Sequence, residues 1–382
     1  MKGLMRSQRM RGAAALALAT GLAGVALFLG PAGIPAAPPE KPAPGQKLPP
    51  SFMPIVAQDS LIRPGETHFA SLRQITFAGE NAEAYWSPDG KSLVMQSTRD
   101  SYPCDQIFLH ELEAQRSLVS LVSTGTGRTT CSYYLTPTTI LFSSTHLASS
   151  QCPPPPDRAK GYVWAAYGEY DIFVRDLKTG KLSQLTDSPG YDAEATVSTD
   201  GKSIVFTSTR DGDLDVYTME ADGKNVKRVT SELGYDGGPF FSPDGQWICY
   251  RAYHPTEEAA AADYKELLSR FLLRPGQLNL WVMKSDGSGK RQVTDLPGAS
   301  FAPYFTPDGK RLIFSSNHED PRGRNFNLYL VNLDGTGLET VTTEVTFDGF
   351  PMFSPDGRYL AFSSNRGAAK PGDTNVCVAE WT

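Results

Sequence analysis

Acidic side chains recur at fixed distances before a turn sequence of the type Ser-Pro-Asp-Gly, which is repeated along the chain. Seven residues before the second position of the turn, successive copies carry Asn81, Thr130, Asp192, Asp236, Ser300 and Asp348. Five residues before it, they carry Glu83, Ser132, Glu194, Gly238, Ala302 and Phe350. Because these positions differ in charge between copies that share the rest of the pattern, we regard them as candidates for function.

Basic side chains follow the strand that comes after each turn. They are Arg99, His146, Arg210, His254, His318 and Arg366, and Arg251 ends the fourth copy. Guanidinium and carboxylate groups make charge-assisted, directional hydrogen bonds, so the two sets together predict a site for a polar ligand or a chain terminus. The ligand-binding candidates are Glu83, Arg99, His146, Asp192, Glu194, Arg210, Asp236, Arg251, His318, Asp348 and Arg366.

Two other interpretations of these residues stay open. Hard divalent cations take several carboxylate oxygens, and the candidates for such a site are Glu83, Asp192, Glu194, Asp236 and Asp348. Alternatively, the charged residues form salt bridges and loop caps within the fold, since structural ion pairs gather at such positions as well. The sequence implies no other cofactor.

The turn belongs to a longer repeat, which is clearest in residues 353–366 and has near copies at 86–99, 197–210, 241–251 and 305–317. A degenerate copy at 135–144 brings the number to six. The common order is a strand, the turn, a second strand, a loop, a third strand, a turn and a fourth strand, which ends in Leu-Thr or Val-Thr at Thr186, Thr230, Thr294 and Thr342. Repeats of this period, with strands that are apolar on both faces, predict an all-β, six-bladed β-propeller of four-stranded antiparallel blades.

The last copy ends after its third strand, whereas a spare strand at residues 72–76 precedes the first copy. We expect this N-terminal strand to complete the sixth blade and close the ring, which removes an exposed sheet edge.

The loops that join second to third strands share one end of the propeller with the loops between blades. Two of them are long: residues 145–168 in blade 2, with the run Cys152 to Pro156, and residues 257–274 in blade 4. The second insertion reads as an amphipathic helix that Thr256 could cap, with Tyr264, Leu267, Leu268, Phe271 and Leu272 in one stripe that packs on the propeller. We call this end the insertion-bearing face and the other end, where the Ser-Pro-Asp-Gly turns lie, the plain face.

The N-terminus predicts export. A basic start, an apolar run from Ala13 to Gly30 and small residues up to Ala36 are typical of a secretory signal at residues 1–36. An uncleaved membrane anchor is the alternative, because the apolar run is long enough to span a bilayer. Residues 37–70 are Pro-rich and predict an extended tether, so the propeller is expected at 71–382.

Charge and cysteine content narrow the partners and the compartment. The net charge of −6 becomes −10 without the four basic residues of the signal, which argues against a nucleic-acid partner. Cys104, Cys131 and Cys152 all fall on the insertion-bearing face, so one disulfide is expected among them, with the pairing left open. We expect a monomer that is periplasmic or secreted.

The order of the turns, the third strand and the Leu/Val-Thr strand from about Leu72 to the C-terminus resembles the TolB-type WD-like propeller repeats of periplasmic and secreted bacterial proteins. The namesake of that family carries an α/β domain before its propeller, and the segment before residue 71 is too short for one. The resemblance implies partners in the cell envelope. Oligogalacturonate lyases are similar propellers that use histidines around a metal, which brings an enzyme into consideration.

Two functions follow as expectations. The first is a non-catalytic binding or scaffold module that holds a protein, a peptide or an envelope polymer on the insertion-bearing face. The alternative is a metal-dependent polysaccharide lyase or hydrolase on the same face, where the carboxylates are expected to ring the mouth of the propeller's central channel, with His146 and His318 near them.

Overall fold

The computed structural model describes residues 49–99, 102–159 and 161–382. The signal expected at 1–36 and the first part of the expected tether lie outside these residues. The described residues form six antiparallel sheets that follow one another as blades, and one additional two-stranded sheet. No helix in the described ranges is both long and apolar enough to cross a membrane.

Three strands precede the first complete blade. They are β1 (Ser51–Pro54), β2 (Val56–Ala57) and β3 (Phe69–Gln74), with a single 3-10 turn at Asp59–Leu61. Strand β3 pairs with the last strand of the chain, as the spare strand of the sequence predicts. Strands β1 and β2 add to the outer edges of blades 1 and 6. The expected tether therefore belongs to the propeller from Ser51 onward, because its backbone pairs with two exposed sheet edges.

Blades 1 to 3 follow in chain order. Blade 1 contains β4 (Glu80–Trp86), β5 (Ser92–Thr98), β6 (Gln106–Leu112) and β7 (Arg116–Leu121). Blade 2 contains β8 (Thr129–Thr136) and β9 (Thr139–Ser144), then β10 (Trp164–Ala165) in its insertion, then β11 (Asp171–Asp176) and β12 (Leu182–Gln184). Blade 3 contains β13 (Asp192–Val197), β14 (Ser203–Ser208), β15 (Asp215–Glu220) and β16 (Lys227–Arg228).

Blades 4 to 6 complete the ring. Blade 4 contains β17 (Tyr235–Phe241), β18 (Trp247–Tyr253), helix α1 (Glu258–Leu268) and β19 (Leu272–Leu273) in its insertion, β20 (Asn279–Lys284) and β21 (Arg291–Gln292). Blade 5 contains β22 (Ser300–Phe305), β23 (Arg311–Ser316), β24 (Asn327–Asn332) and β25 (Glu339–Thr340). Blade 6 contains β26 (Asp348–Phe353), β27 (Tyr359–Ser364) and β28 (Asn375–Trp381), and β3 is its fourth strand.

The repeated turn is held by its own side chains. In blade 6, Ser354 donates to the Asp356 carboxylate at 2.6 Å and accepts the backbone N–H of Tyr359 at 2.9 Å. Gly357 lies at φ +72° against Pro307 of the preceding blade's turn, which explains the glycine. The same Ser or Thr to Asp bond recurs at Ser87, Ser198, Ser242 and Thr306.

A second repeated bond joins the third strand of each blade to the fourth. In blades 2 to 5 the threonine of the Leu/Val-Thr ending donates to the Asp or Asn that begins the third strand, as in Thr230 to Asp215 at 3.1 Å and Thr294 to Asn279 at 2.9 Å. In blade 1, Ser123 donates to Gln106 at 2.8 Å instead. In blade 6 the threonine is Thr76, which comes from the N-terminal segment and bonds Asn375. The threonine that follows β3 therefore reproduces the side-chain contact of the missing fourth strand.

Candidate functional site

Each first strand turns one residue into the central channel through a β-bulge. The register of the first and second strands shifts at this point in every blade, and the bulged residue adopts a left-handed conformation. These residues are Glu83, Cys131, Glu194, Gly238, Ala302 and Phe350, with φ between 50° and 58°. Five of them are non-glycine residues, for which a positive φ is uncommon.

Blade 2 contributes Cys131, whereas counting back from the turn gives Ser132. A second register shift between Tyr134 and Thr136 adds a residue before the degenerate turn, so the sequence alignment is off by one there. For the same reason Thr129, which pairs with Ser144, replaces Thr130 among the residues that were counted seven positions before the turn.

The bulged residues surround a small cavity. Its volume is about 20 Å³, which is enough for about one water molecule. Glu83, Cys131, Glu194 and Arg251 supply polar groups from blades 1 to 4, whereas Ala302 and Phe350 supply apolar surface from blades 5 and 6. The channel is therefore polar on one side and apolar on the other.

Glu194 and Arg251 form the charged centre of this cavity. Arg251 pairs with the Glu194 carboxylate, which also accepts from Thr207 at 2.7 Å and from the Gly238 N–H at 2.8 Å. The Tyr235 hydroxyl donates to Glu194 and accepts from Arg251 Nε at 2.9 Å. A Cβ at position 238 would lie 2.1 Å from the Arg251 guanidinium, so only glycine leaves room for this arginine.

Glu83 is the carboxylate whose protonation the channel changes. Burial raises its pKa to about 7, opposed by a hydrogen bond from Cys131 and by the charge of Arg251. Burial likewise raises the pKa of the Cys131 thiol well above its usual value. At neutral pH the cavity therefore contains one group near half-protonation beside a neutral thiol.

Aromatic rings fill the channel toward the plain face. These rings lie two residues after the bulged positions, and their contacting pairs have centroids 5.4–6.1 Å apart. They belong to Tyr85, Tyr133, Phe240 and Tyr304. Such edge and tilted arrangements are favourable packings of aromatic pairs. The polar cavity is therefore blocked by packed rings on that side.

The two insertions cover the channel on the other side. Strand β10 of the blade 2 insertion pairs with β19 of the blade 4 insertion, which makes the two-stranded sheet. Trp164 lies over the Arg251 guanidinium at 5.6 Å and packs edge-on against Phe301. We call residues 161–168 and 271–273 the lid, because they pack on the first strands of blades 3 to 6.

A disulfide and a helix fasten the lid. Cys104 bonds Cys152, so the blade 2 insertion is tied to the loop of blade 1, and Cys131 stays free. In helix α1, Tyr264 and Leu267 are buried and Tyr264 donates to Asp213 at 2.5 Å. From the sequence this helix was predicted to run to Arg274, with Thr256 as its cap. In the structure the helix ends at Leu268, because residues 272–273 pair with the other insertion. No side-chain hydrogen bond caps its N-terminus.

The three carboxylates that stand seven residues before the turn are bonded to basic side chains of their own blades. Asp192 pairs with Arg210, Asp236 with His254 and Asp348 with Arg366. Arg366 also pairs with Glu66, and both side chains are fully buried. These contacts match the structural alternative, in which the charges stabilise the fold.

The basic residues after each second strand share one arrangement. In blades 1 to 5 the basic side chain lies against an aromatic ring of the third strand, 4.3–5.1 Å from the ring centroid. The pairs are Arg99 on Phe108, His146 on Phe173, Arg210 on Tyr217, His254 on Trp281 and His318 on Tyr329. In blade 6, Arg366 lies over Phe362 of the second strand. The structure therefore brings Glu83, Glu194 and Arg251 together, whereas Arg99, His146 and His318 stay on separate blades.

Among residues 49–99, 102–159 and 161–382, no three His, Cys, Asp or Glu side chains are grouped so that they could hold a metal ion. Asp192 and Asp348 are paired with arginines of their own blades and Asp236 is hydrogen-bonded to His254, which separates these three carboxylates from Glu83 and Glu194.

Sequence reasoning missed Cys131, Tyr235 and the contact of Trp164 with Arg251. Tyr235 follows a glycine at the start of the blade 4 strand and occupies the place that Tyr191 has in blade 3. That internal repetition is a signal that could have identified it. Nothing in the sequence indicates that residues 164–165 of one insertion pair with residues 272–273 of the other.

A family model described as the TolB β-propeller domain matches residues 156–272 and 271–371. Protein Atu1656 of Agrobacterium fabrum is 30% identical over 123 residues, which are 32% of this chain and 35% of that protein. A TolB homolog of Chlorobium chlorochromatii is 26% identical over 139 residues, which are 30% of this chain and 31% of that protein. The matches thus span about a third of these relatives.

The solved structure of TolB from Acinetobacter baumannii has the same fold. It superposes with a TM-score of 0.51 at 16% identity, over 77% of this chain and 64% of that one. The similarity at this identity concerns the fold alone. Since the family model matches more than half of the residues, the chain belongs to the TolB β-propeller domain family.

Proposed function

We propose that this chain is an exported, non-catalytic binding module of the cell envelope, and that it holds a protein or peptide partner on the insertion-bearing face. The observation that carries the proposal is the lid. Two insertions of different blades pair with each other over the channel, and they expose aromatic side chains on their outer side. Tyr162 is 54% exposed and Phe271 is 37% exposed.

The small volume of the channel cavity favours a binding site outside the channel over one inside it. Its volume of about 20 Å³ is far below the roughly 300 Å³ of small-molecule sites. Glu194 and Arg251 satisfy each other there, so little polar capacity is left for a ligand. A partner would therefore contact the lid and the surrounding loops, where Leu147, Leu233 and Val345 are exposed as well.

Export is supported by two features. The N-terminal residues have the composition of a secretory signal. The disulfide between Cys104 and Cys152 is of the kind that persists in oxidising compartments. A periplasmic or secreted location fits both.

The enzyme alternative has one feature in its favour, which is Glu83. A carboxyl group with a pKa near 7 suits general acid-base catalysis. The lid and the aromatic rings enclose this group, so a polymer substrate would have to displace the lid. Turnover of polygalacturonate that is lost in Glu83→Gln and retained in Tyr162→Ala would favour the enzyme over the binding module.

Matched surface variants test the proposal. Tyr162→Ala with Phe271→Ala removes exposed apolar surface from the insertion-bearing face, whereas Val226→Ala with Leu338→Ala does so on the plain face. After reversible cross-linking in the native cell, we expect the first pair to lose the partner that wild type retains and the second pair to keep it. Equal recovery with both pairs, at unchanged thermal midpoints, would refute the proposed face.

A further inference from the structure

We propose that Arg158 and Arg324, which both lie over the ring of Tyr162, bind the carboxylate groups of an acidic peptide segment in the partner. The inference rests on the proposed function and names the chemistry of the partner. It is carried by the geometry around Tyr162, by the absence of other side-chain partners for the two guanidinium groups among the described residues, and by exposed apolar side chains on the same face.

Tyr162 is held in place although it is exposed. Its hydroxyl accepts the indole N–H of Trp164 at 3.1 Å. Trp164 is itself fixed, because it lies over Arg251 and packs against Phe301 of blade 5. The ring of Tyr162 is therefore a positioned part of the lid.

Two arginines from different loops converge on this ring. Arg158, in the blade 2 insertion, lies 5.3 Å from the ring centroid, and Arg324, in the long loop of blade 5, lies 6.0 Å from it. Contacts of this length are cation–π interactions, which hold a guanidinium by its face and leave its N–H groups free. Both side chains are exposed.

Neither guanidinium group forms an ion pair or a hydrogen bond with any residue that the structure describes. The neighbouring arginines of the same face differ, because Arg270 pairs with Asp157 and Arg274 pairs with Asp263. Two guanidinium charges on the same ring, with no counter-charge paired to them among the described residues, make the local potential positive. In a chain of net charge −6, this local positive site favours an anionic group supplied from outside.

The guanidinium fork matches carboxylates, and it can take them in bidentate geometry. Both a polyuronate and an acidic peptide carry carboxylates. Guanidinium groups lie over the Tyr162 ring, so the site presents N–H donors more than an open aromatic face for a sugar. Phe271 and Leu147, exposed on the same face, suit apolar side chains, which a peptide provides and a polyuronate lacks.

The test uses a defined probe, an eight-residue fluorescein-labelled peptide of alternating glutamate and leucine, and its glutamine counterpart. Fluorescence anisotropy gives Kd for wild type and for Arg158→Gln with Arg324→Gln. The control is Arg73→Gln with Arg358→Gln, because these arginines also lie over one tyrosine ring, that of Tyr359. Polygalacturonate serves as the competing anion.

We expect wild type to bind the glutamate peptide about tenfold more tightly than the glutamine peptide, as two exposed ion pairs allow. This preference should disappear in the Arg158 and Arg324 variant, persist in the control and shrink as salt is raised. Equal Kd values of the two peptides for wild type, an unchanged preference in the variant, or tighter binding of polygalacturonate would overturn the inference.

The failure of this inference can be told apart from that of the proposed function. If the cellular partner is still recovered with Arg158→Gln and Arg324→Gln but lost with Tyr162→Ala and Phe271→Ala, the face is right and the acidic specificity is wrong. If the plain-face pair of variants loses the partner instead, the proposed function itself is wrong.

Discussion

Single residues at the six bulges determine what the channel contains. Positions that are equivalent in the fold carry two glutamates, a cysteine, a glycine, an alanine and a phenylalanine. The glycine, Gly238, leaves the space that the Arg251 guanidinium occupies. The alanine and the phenylalanine, Ala302 and Phe350, add no charge to the cavity. One side of a symmetric ring thus becomes a neutralised polar centre, and the other side supports the lid.

The first prediction concerns the proton on Glu83. Its pKa of about 7 in the folded state is above the value of roughly 4.3 for an unfolded glutamate. Between these pH values the folded chain retains a proton that the unfolded chain has lost, so the free energy of unfolding decreases as pH rises. Glu83→Gln should therefore raise the free energy of unfolding by about 1–3 kcal/mol near pH 8 and change it little near pH 4.

Urea denaturation at the two pH values checks this. Glu194→Gln is the control, because it leaves Arg251 without its counter-charge and should lower stability at both pH values. An equal effect of Glu83→Gln at both pH values would contradict the assigned titration.

The second prediction concerns Arg366, whose side chain is 0% exposed and bridges Glu66 and Asp348. Its replacement by methionine leaves two buried carboxylates without a cation, which should lower the free energy of unfolding by about 3–5 kcal/mol. Arg210→Met is the matched control, since Arg210 pairs with one carboxylate and is partly exposed. Chemical denaturation should give the smaller loss for Arg210, and the reverse order would be inconsistent with this assignment.

At this scale the sequence predicted positions better than roles. Counting from the turn identified Glu83 and Glu194 as channel residues, because the repeat fixes where each strand turns inward. It could not separate them from Asp192, Asp236 and Asp348, whose partners lie across the strand pair and depend on rotamers. Cys131 was missed because the turn of blade 2 is irregular.

At the scale of elements, the lid is the feature that distinguishes this propeller from a plain ring of blades. Neither β10 nor β19 is long enough to be stable alone, and they depend on each other and on the core around Tyr264. The amphipathic pattern of residues 257–274 predicted a helix and its packing. Its C-terminal end was wrong because Phe271 adopts a left-handed conformation and Leu272 enters a strand.

The third prediction concerns the disulfide between Cys104 and Cys152, which closes a sequence separation of 48 residues. Replacing both cysteines with serine should lower the free energy of unfolding by about 2–4 kcal/mol, with loss of protection in residues 161–168. Hydrogen exchange of wild type with and without reductant checks this. The variant should be insensitive to reductant, whereas a reductant effect that persists in it would assign the disulfide to other cysteines.

At the scale of the whole molecule, the N-terminal segment closes the ring twice. Strand β3 completes blade 6 and Thr76 restores the repeated bond to Asn375. Strands β1 and β2 then cover the outer edges of blades 1 and 6, the two blades that meet at the junction. The closure by β3 could be predicted by counting strands. The added strands could not, because two to four residues in a Pro-rich stretch carry no periodic signal.

The fourth prediction compares two truncations. Of the described strands, a chain that begins at residue 58 lacks β1 and β2, so it should fold with a modestly lower thermal midpoint. A chain that begins at residue 77 also lacks β3, which leaves an unpaired edge and an open ring, so it should lose cooperative unfolding and aggregate. Calorimetry distinguishes them, and two chains of equal stability would contradict the role given to β3.

If the insertion-bearing face binds the partner, site-specific photo-cross-linking in the native cell should trap the complex at that face. A photoreactive phenylalanine placed at Phe271 is compared with one at Leu338, which is similarly exposed on the plain face. We expect a discrete adduct of defined mass from position 271 and none from position 338. The same adduct from position 338, or an adduct from that position alone, would contradict it.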